Sequence, residues 1–198
     1  MTADEVIETG IIFSNVLERI HSIGILHRDI KPSNVGYTKE GMLKLLDFGL
    51  VHMIYDSRRN REPQTAQISG PDPDQTVRLD PTGLPPTVSS EWIVGTPAYL
   101  SPEALKGQVP QIALDLWSTT VVLYEALAGC NPVAKDSLPE TLNAVSDVDF
   151  PDIRALRADV PENLASFFRQ ALNKDVRKRP QNAVELRKRL EVAAARPS

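Results

Sequence analysis

Four polar residues in the first quarter of the chain have types and spacing suited to phosphoryl transfer. Asp29, Lys31 and Asn34 fall within one short stretch, and Asp47 follows 13 residues after Asn34. A carboxylate, an ammonium group and an amide at this spacing can converge on one phosphoryl group. Transfer of such a group depends mainly on orientation of the reactants and on electrostatic stabilisation. Asn34 and Asp47 add the hard oxygen ligands that suit Mg²⁺. The pattern therefore predicts a metal-assisted phosphoryl-transfer site.

A short hairpin is expected to bring Asn34 and Asp47 together. Residues 35–37 and 42–46 have the character of two short strands, and residues 39–41 between them supply a turn. The strands would leave Asn34 and Asp47 at neighbouring ends of one hairpin. A shared metal ion requires that arrangement.

Two motifs give this region a family resemblance: residues 27–34 are HRDIKPSN and residues 47–49 are DFG. They resemble the catalytic loop and the magnesium loop of the eukaryotic-type (Hanks-type) serine/threonine protein kinases. The resemblance implies ATP and Mg²⁺ as cofactors. It also implies that the partner is a protein substrate, phosphorylated on serine or threonine.

The same resemblance gives each polar residue a role. Asp29 would orient the substrate hydroxyl and accept its proton. Lys31 would stabilise charge on the transferring phosphate, and a lysine at this place is typical of the serine/threonine branch rather than the tyrosine branch. Asn34 and Asp47 would be the metal ligands and, with Lys31, would contact the bound nucleotide.

Neighbouring residues have structural or regulatory roles by the same resemblance. His27 and Phe48 would pack in the core and hold the loop and the metal-binding aspartate in position. Taken alone, His27 could equally be a core histidine with satisfied hydrogen bonds, and no acid–base role is assigned to it. Arg28 resembles the arginine that binds a phosphate on the activation segment. The alternative for Arg28 is an ordinary ion pair with a nearby carboxylate.

A second strong motif is GTPAYLSPE, at residues 95–103. It resembles the end of a kinase activation segment, with Ser-Pro-Glu where the family most often has Ala-Pro-Glu. The resemblance implies that Thr96 touches the catalytic acid and lysine and favours serine and threonine substrates. It further implies a buried ion pair between Glu103 and Arg179.

A central helix is predicted over residues 115–127, which are apolar on almost every side, with Gly129 at its end. A helix of this kind belongs inside a core. By resemblance, the carboxylate of Asp115 accepts backbone N–H bonds from His27 and Arg28. The simpler alternative is that Asp115 caps the helix, and both roles can hold together.

Helical periodicity also marks both ends of the chain. Residues 4–22 are predicted to form an amphipathic helix that Thr2 or Asp4 could cap. Three more helices are expected at residues 139–145, 161–172 and 181–195. The predicted fold is mainly α with a small β hairpin, like the C-terminal lobe (C-lobe) of a protein kinase.

The segment of residues 56–91 has a different composition. It contains no aromatic residue and six prolines, so it is expected to be a disordered insert in the activation segment. Thr87, Ser89 and Ser90 are candidate phosphorylation sites, because they lie closest in sequence to where a phosphate would meet Arg28. The alternative is a solvated insert with no regulatory role.

Composition limits the class of protein. The 198 residues fit one domain, 41% of them are hydrophobic, and the net charge of −4 argues against a nucleic-acid-binding protein. Cys130 is the only cysteine, so the chain has no internal disulfide and no metal site built on cysteines. No apolar run approaches the roughly 18–20 residues that cross a bilayer. With an acidic N-terminus, the chain is expected to be cytoplasmic, with no membrane contact.

One expected part of a kinase has no counterpart in the sequence. There is no Gly-x-Gly pair, and no lysine precedes His27, so the N-terminal lobe (N-lobe) is taken to be absent. Residues 1–198 are therefore interpreted as a partial kinase domain, a C-lobe fragment whose further partner is the missing N-lobe. The alternative is a catalytically inactive remnant that acts as a protein-binding or regulatory module.

Overall fold

The computed structural model describes residues 1–47, 52–53, 97–106, 111–147 and 150–195. Within them the helices are α1 (Ala3–Ser22), α2 (Pro102–Leu105), α3 (Ile112–Ala128), α4 (Leu138–Ser146), α5 (Ile153–Leu156), α6 (Glu162–Ala171) and α7 (Ala183–Ala194). The strands are β1 (Ile25–Leu26), β2 (Val35–Tyr37), β3 (Leu43–Leu45) and β4 (His52–Met53). The predicted mainly helical fold with a small β hairpin is confirmed. The predicted insert at residues 56–91 lies outside the described residues.

Helix α1 begins at a reciprocal cap. Thr2 Oγ1 accepts a hydrogen bond from Glu5 N, and the Glu5 carboxylate accepts one from Thr2 N. Thr2 is therefore the cap, and Asp4 lies in the first turn, where an acid favours the helix dipole. A Cβ on Gly10 would lie 2.8 Å from side-chain carbons of both Leu123 and Leu190. The glycine thus allows α1 to pack closely against α3 and α7.

Helix α3 is the centre of the core, as the sequence predicts. Its side chains are buried on nearly every face, and it ends at Gly129, whose φ of 79° is left-handed. The helix begins three residues earlier than expected, after Gln111. Asp115 therefore lies inside the first turn, and the alternative that it caps the helix is wrong. Because the Asp115 carboxylate does not cap its own helix, it can accept hydrogen bonds from another part of the chain.

Two small antiparallel sheets flank the loop of residues 27–34. In the predicted hairpin, β2 pairs with β3 with Val35 opposite Leu45. The second sheet, β1 with β4, pairs Ile25 with Met53 and was not predicted. Each of its strands has two residues, which is too short for an alternating pattern to appear in the sequence.

The remaining helices surround α3. The predicted helices at residues 139–145, 161–172 and 181–195 correspond to α4, α6 and α7, and α7 packs against both α1 and α6. Helices α2 and α5 were not predicted, because one turn gives no periodicity to detect. In the part of the chain that the structure describes, no helix is long and apolar enough to cross a membrane.

Candidate active site

The carboxylate of Asp29 is nearly buried, at 8% exposed, and receives two side chains from its own loop. Lys31 Nζ lies 2.7 Å from Asp29 Oδ2. Asn34 Nδ2 donates to the same oxygen at 3.1 Å and to the backbone oxygen of Asp29 at 2.8 Å. The structure thus brings three of the four predicted polar residues together, and their donors fix the orientation of the Asp29 carboxylate.

The fourth residue, Asp47, is placed by the hairpin. Asn34 ends a 3-10 turn, and its backbone oxygen accepts a hydrogen bond from Leu46 N at 2.7 Å. Asp47 therefore follows directly after the position that pairs with Asn34. Its φ of 56° lies in the left-handed region, where a non-glycine residue costs on the order of 1 kcal/mol or more. The residue predicted to bind metal therefore has a strained backbone conformation.

His27 has a structural role in the same loop. It is fully buried, and its Nε2 lies 3.0 Å from the backbone oxygen of Leu46. A carbonyl only accepts, so Nε2 carries the hydrogen. Nδ1 in turn accepts from Asp29 N at 3.4 Å. Both ring nitrogens have hydrogen-bond partners, and these bonds link the loop to the hairpin.

Asp115 of α3 holds the backbone at the start of the loop. Its Oδ2 accepts from His27 N at 2.9 Å, and its Oδ1 accepts from Arg28 N at 2.8 Å. Asp115 is 1% exposed. Arg28 has a left-handed φ of 69°. The two bonds offset the cost of that conformation. They also fix the loop backbone just before Asp29 to α3.

His21, which no sequence motif indicated, completes this anchor. At the end of α1, His21 Nε2 donates to Asp115 Oδ2 at 2.8 Å. Its Nδ1 is buried and has no hydrogen-bond partner among the described residues. Asp115 therefore receives three donors from two segments that precede it by almost ninety residues or more. The sequence offered no signal for His21, since a histidine near a helix end is usually a surface residue.

The guanidinium of Arg28 has no ion pair with a carboxylate of the described residues, and its Nε is buried without a hydrogen-bond partner there. Burial lowers the pKa of Arg28, and the nearby charge of Asp115 partly opposes that shift. The ordinary ion pair considered for Arg28 is not found in this part of the chain. The side chain is a half-buried cation that an anion would stabilise.

The predicted pair of Glu103 and Arg179 is present. Arg179 Nη1 lies 2.8 Å from Glu103 Oε1, and Arg179 is 4% exposed. Its other nitrogens donate to the backbone oxygens of Asn173 and Lys174. The guanidinium also lies 4.2 Å from the ring centre of Trp117. Each guanidinium nitrogen makes one hydrogen bond, and the pair joins Glu103 of α2 to the helical core.

The start of residues 97–106 is fixed on α3 by two side-chain hydrogen bonds. Ser118 Oγ donates to the backbone oxygen of Tyr99 at 2.7 Å, and Tyr99 Oη donates to Glu125 at 2.6 Å. Burial, followed by the Glu125 contact, raises the pKa of Tyr99. Five other predicted site residues lie outside the described residues: Phe48, Thr87, Ser89, Ser90 and Thr96.

The family model for the protein kinase domain matches residues 4–189. The chain belongs to the protein kinase family. It resembles the serine/threonine kinase PknD of Protochlamydia amoebophila, with 32% identity over 173 residues, and the probable serine/threonine kinase PknB of Bifidobacterium longum, with 31% over 174. It is also 32% identical over 160 residues to the rabbit (Oryctolagus cuniculus) Rho-associated protein kinase 1. These relatives place it among the Hanks-type serine/threonine kinases.

The matches cover most of this kinase chain but little of each relative. The shares of this chain are 86%, 87% and 77%, whereas the shares of PknD, PknB and the Rho-associated kinase are 16%, 21% and 10%. The chain therefore spans about a fifth or less of the length of these relatives. The similarity extends across the loop, the hairpin and the helical core.

The donor atoms near Asn34 fit the magnesium ion that protein kinases generally use. The amide nitrogen of Asn34 is occupied by Asp29, which leaves its oxygen for a ligand. The carboxylate of Asp47 follows at the same hairpin end, and amide and carboxylate oxygens suit Mg²⁺. The described residues hold no group of three histidine, cysteine, aspartate or glutamate side chains that could bind a metal by themselves. Two protein ligands, Asn34 and Asp47, suit a Mg²⁺ ion whose other ligands are nucleotide phosphates.

Replacing Asp115 with asparagine should destabilise the fold and loosen the start of the loop. One of the two backbone N–H groups would lose its acceptor in a buried place, at a cost of about 1–3 kcal/mol in the free energy of unfolding. Urea unfolding measures this, with Asp136→Asn as a control at an exposed aspartate. Equal unfolding midpoints for the two variants would show that Asp115 is not an anchor.

Proposed function

We propose that the chain is the C-lobe of a serine/threonine protein kinase and that its loop is competent in catalysis. The γ-phosphoryl group of ATP would be transferred to a serine or threonine hydroxyl of a protein substrate. Residues 1–198 would then be a partial kinase domain that acts with a nucleotide-binding N-lobe, since the sequence contains no Gly-x-Gly pair to cover the phosphates. Family membership and the helical fold support this assignment.

The arrangement of donors around Asp29 carries the proposal. An inactive remnant would gain nothing by holding a carboxylate, at 8% exposed, against a lysine at 2.7 Å and an amide at 3.1 Å. Burying a charged pair costs free energy and seldom adds net stability. This free-energy cost is offset in an enzyme, where the fixed orientation of the Asp29 carboxylate speeds the reaction.

Each residue has one task in the proposed reaction. Asp29 binds the substrate hydroxyl and accepts its proton as the oxygen bonds to the γ-phosphorus and ADP leaves. Lys31, at 2.7 Å from Asp29, places a positive charge beside the group in transfer. Mg²⁺, when bound, would neutralise phosphate charge, held by the Asn34 amide oxygen and the Asp47 carboxylate. Thr96 would favour serine and threonine over tyrosine.

Nucleotide binding gives the first test of this site. We expect Asp47→Asn to remove most of the Mg²⁺ dependence of ATP binding, because an amide replaces the charged ligand. Titration calorimetry with and without Mg²⁺ measures the effect in this chain joined to the N-lobe of a relative such as PknB. Asp136→Asn is the matched control. Unchanged Mg²⁺ dependence in Asp47→Asn would refute the assigned ligand.

We propose that Arg28 receives a phosphate from the activation segment. Its Nε is buried without a partner in the described part of the chain, and a phosphate brings about −1.5 to −2 charges. Thr87, Ser89 and Ser90 are the proposed acceptors. Replacing all three with alanine should lower kinase activity several-fold, and mass spectrometry should find phosphate on them in the active protein. Full activity of the triple variant would contradict this role.

A further inference from the structure

We propose that Asn131 is a positioning residue for the protein substrate. Asn131 lies on the chain that follows α3, and its side chain holds the backbone oxygen of Ala98, two residues after Thr96. None of the motifs that carry the family resemblance includes Asn131. The inference rests on the proposed function and assigns a further residue to it.

The side-chain amide of Asn131 has a single orientation. Its Oδ1 accepts a hydrogen bond from Val133 N at 3.2 Å, and its Nδ2 donates to the backbone oxygen of Ala98 at 3.3 Å. A backbone N–H only donates and a carbonyl oxygen only accepts, so the two partners fix which end of the amide is the oxygen. The bond from Val133 thus holds the side chain with its NH₂ group directed at Ala98.

The backbone oxygen of Ala98 depends on this donor. Ala98 is 7% exposed, and among the described residues its oxygen accepts a hydrogen bond from Asn131 alone. The oxygens on either side have other donors, Leu100 N for Pro97 and Ser118 Oγ for Tyr99. A buried carbonyl without a donor costs about as much free energy as a lost hydrogen bond. Without the Asn131 donor, the backbone at Ala98 would therefore shift to reach water.

The same amide acts on the next residue. The hydroxyl of Tyr99 donates to Glu125 at 2.6 Å. Burial, followed by this contact, raises the pKa of Tyr99, and a hydrogen bond from the Asn131 side chain partly opposes the rise. Ser118 and Glu125 both belong to α3, so Asn131 adds a hold on residues 98–99 from outside that helix. Residues 97–99 are thereby fixed from two sides.

The position of residues 97–99 bears on the protein substrate and not on ATP. Thr96 is proposed to favour serine and threonine hydroxyls, whereas Asn34 and Asp47 are proposed to bind Mg²⁺ with the nucleotide. Within the described chain, Asn131 makes no hydrogen bond to the loop of residues 27–34 or to the hairpin. A misplacement of about 1 Å can lower a rate by roughly 10²-fold. Release of Ala98 should therefore weaken the use of the peptide and leave ATP binding as it was.

Asn131→Asp tests this role in the chain joined to a kinase N-lobe. Aspartate has the same shape and keeps the acceptor for Val133 N, but its ionised carboxylate cannot donate to the oxygen of Ala98. We expect KM for a serine peptide to rise about tenfold, the effect of one lost hydrogen bond, with KM for Mg²⁺-ATP unchanged. A purely structural role would lower the active fraction, and so kcat, without changing either KM. Asn143→Asp, the same change at an exposed residue of α4, is the control.

Hydrogen exchange in the 198-residue chain tests the contact without activity. In Asn131→Asp, the backbone amides of residues 97–101 should exchange about tenfold faster than in Asn143→Asp, whereas those of α1 should be unchanged. Equal exchange in the two variants, or equal KM values for the serine peptide, would overturn the proposal. An unmodified joined protein that phosphorylates no serine peptide would instead contradict the proposed function, and the exchange rates would still decide whether Asn131 holds residues 97–99.

Discussion

Asp29→Asn is expected to reduce phosphoryl transfer by roughly 10²–10⁴-fold, the usual contribution of an acid–base group. Asparagine keeps the size of the side chain and can still accept a bond from Asn34, but it cannot take the proton of the substrate hydroxyl. It also loses the ion pair with Lys31 at 2.7 Å. The measurement is kcat for a serine-containing peptide, in this chain joined to a kinase N-lobe.

Two controls separate chemistry from folding. The unfolding midpoint and the affinity for Mg²⁺-ATP should stay close to those of the unmodified protein, so that the loss falls on kcat and not on KM for ATP. Asp136→Asn, at an exposed aspartate, should retain full activity. A rate within a few-fold of the original in Asp29→Asn would mean that Asp29 is not the proton acceptor of this loop.

Arg179→Met is expected to lower the free energy of unfolding by about 3–5 kcal/mol, the cost of leaving one partner of a buried ion pair alone. Glu103 would lose its counter-charge, and the backbone oxygens of Asn173 and Lys174 would lose their donors. The contact of the guanidinium with Trp117 at 4.2 Å would also go. Urea unfolding followed by circular dichroism gives the difference.

A neighbouring arginine supplies the matched control. Arg177 is 86% exposed and pairs with Asp175 on the surface, where ion pairs add little, so Arg177→Met should unfold close to the original midpoint. Glu103→Gln should be destabilised as well, because Arg179 then remains buried without a counter-charge. Equal stability of the Arg179 and Arg177 variants would show that the buried pair does not hold the activation segment to the core.

The sequence predicted those elements whose patterns are long or chemically specific. The periodicity of α1 and the apolar character of α3 each extend over several turns, so the hydrophobic effect leaves a clear pattern. The loop residues Asp29, Lys31 and Asn34 meet because they lie within six positions of one loop. The contact of Asp115 with residues 27–28 came only from the family resemblance, since the two segments are almost ninety residues apart.

The structural features that were missed have no periodic pattern. Strands β1 and β4 and the single turns α2 and α5 are too short for one, although Ser101 and Asp152 cap the two turns. His21 reaches Asp115 only because α1 and α3 pack side by side. The sequence pattern predicts the start of α3 three residues too late, because no capping side chain marks the true start at Ile112. Gln111, which precedes it, makes no capping hydrogen bond.

This loop is expected to transfer phosphate once a nucleotide-binding lobe is present. The most direct measurement is the initial rate of γ-phosphate transfer from Mg²⁺-ATP to matched serine and tyrosine peptides, for the chain alone and joined to a kinase N-lobe. We predict transfer to serine by the joined protein, little to tyrosine, and almost none by the chain alone. A joined protein that folds and binds ATP yet transfers nothing to serine would contradict the account.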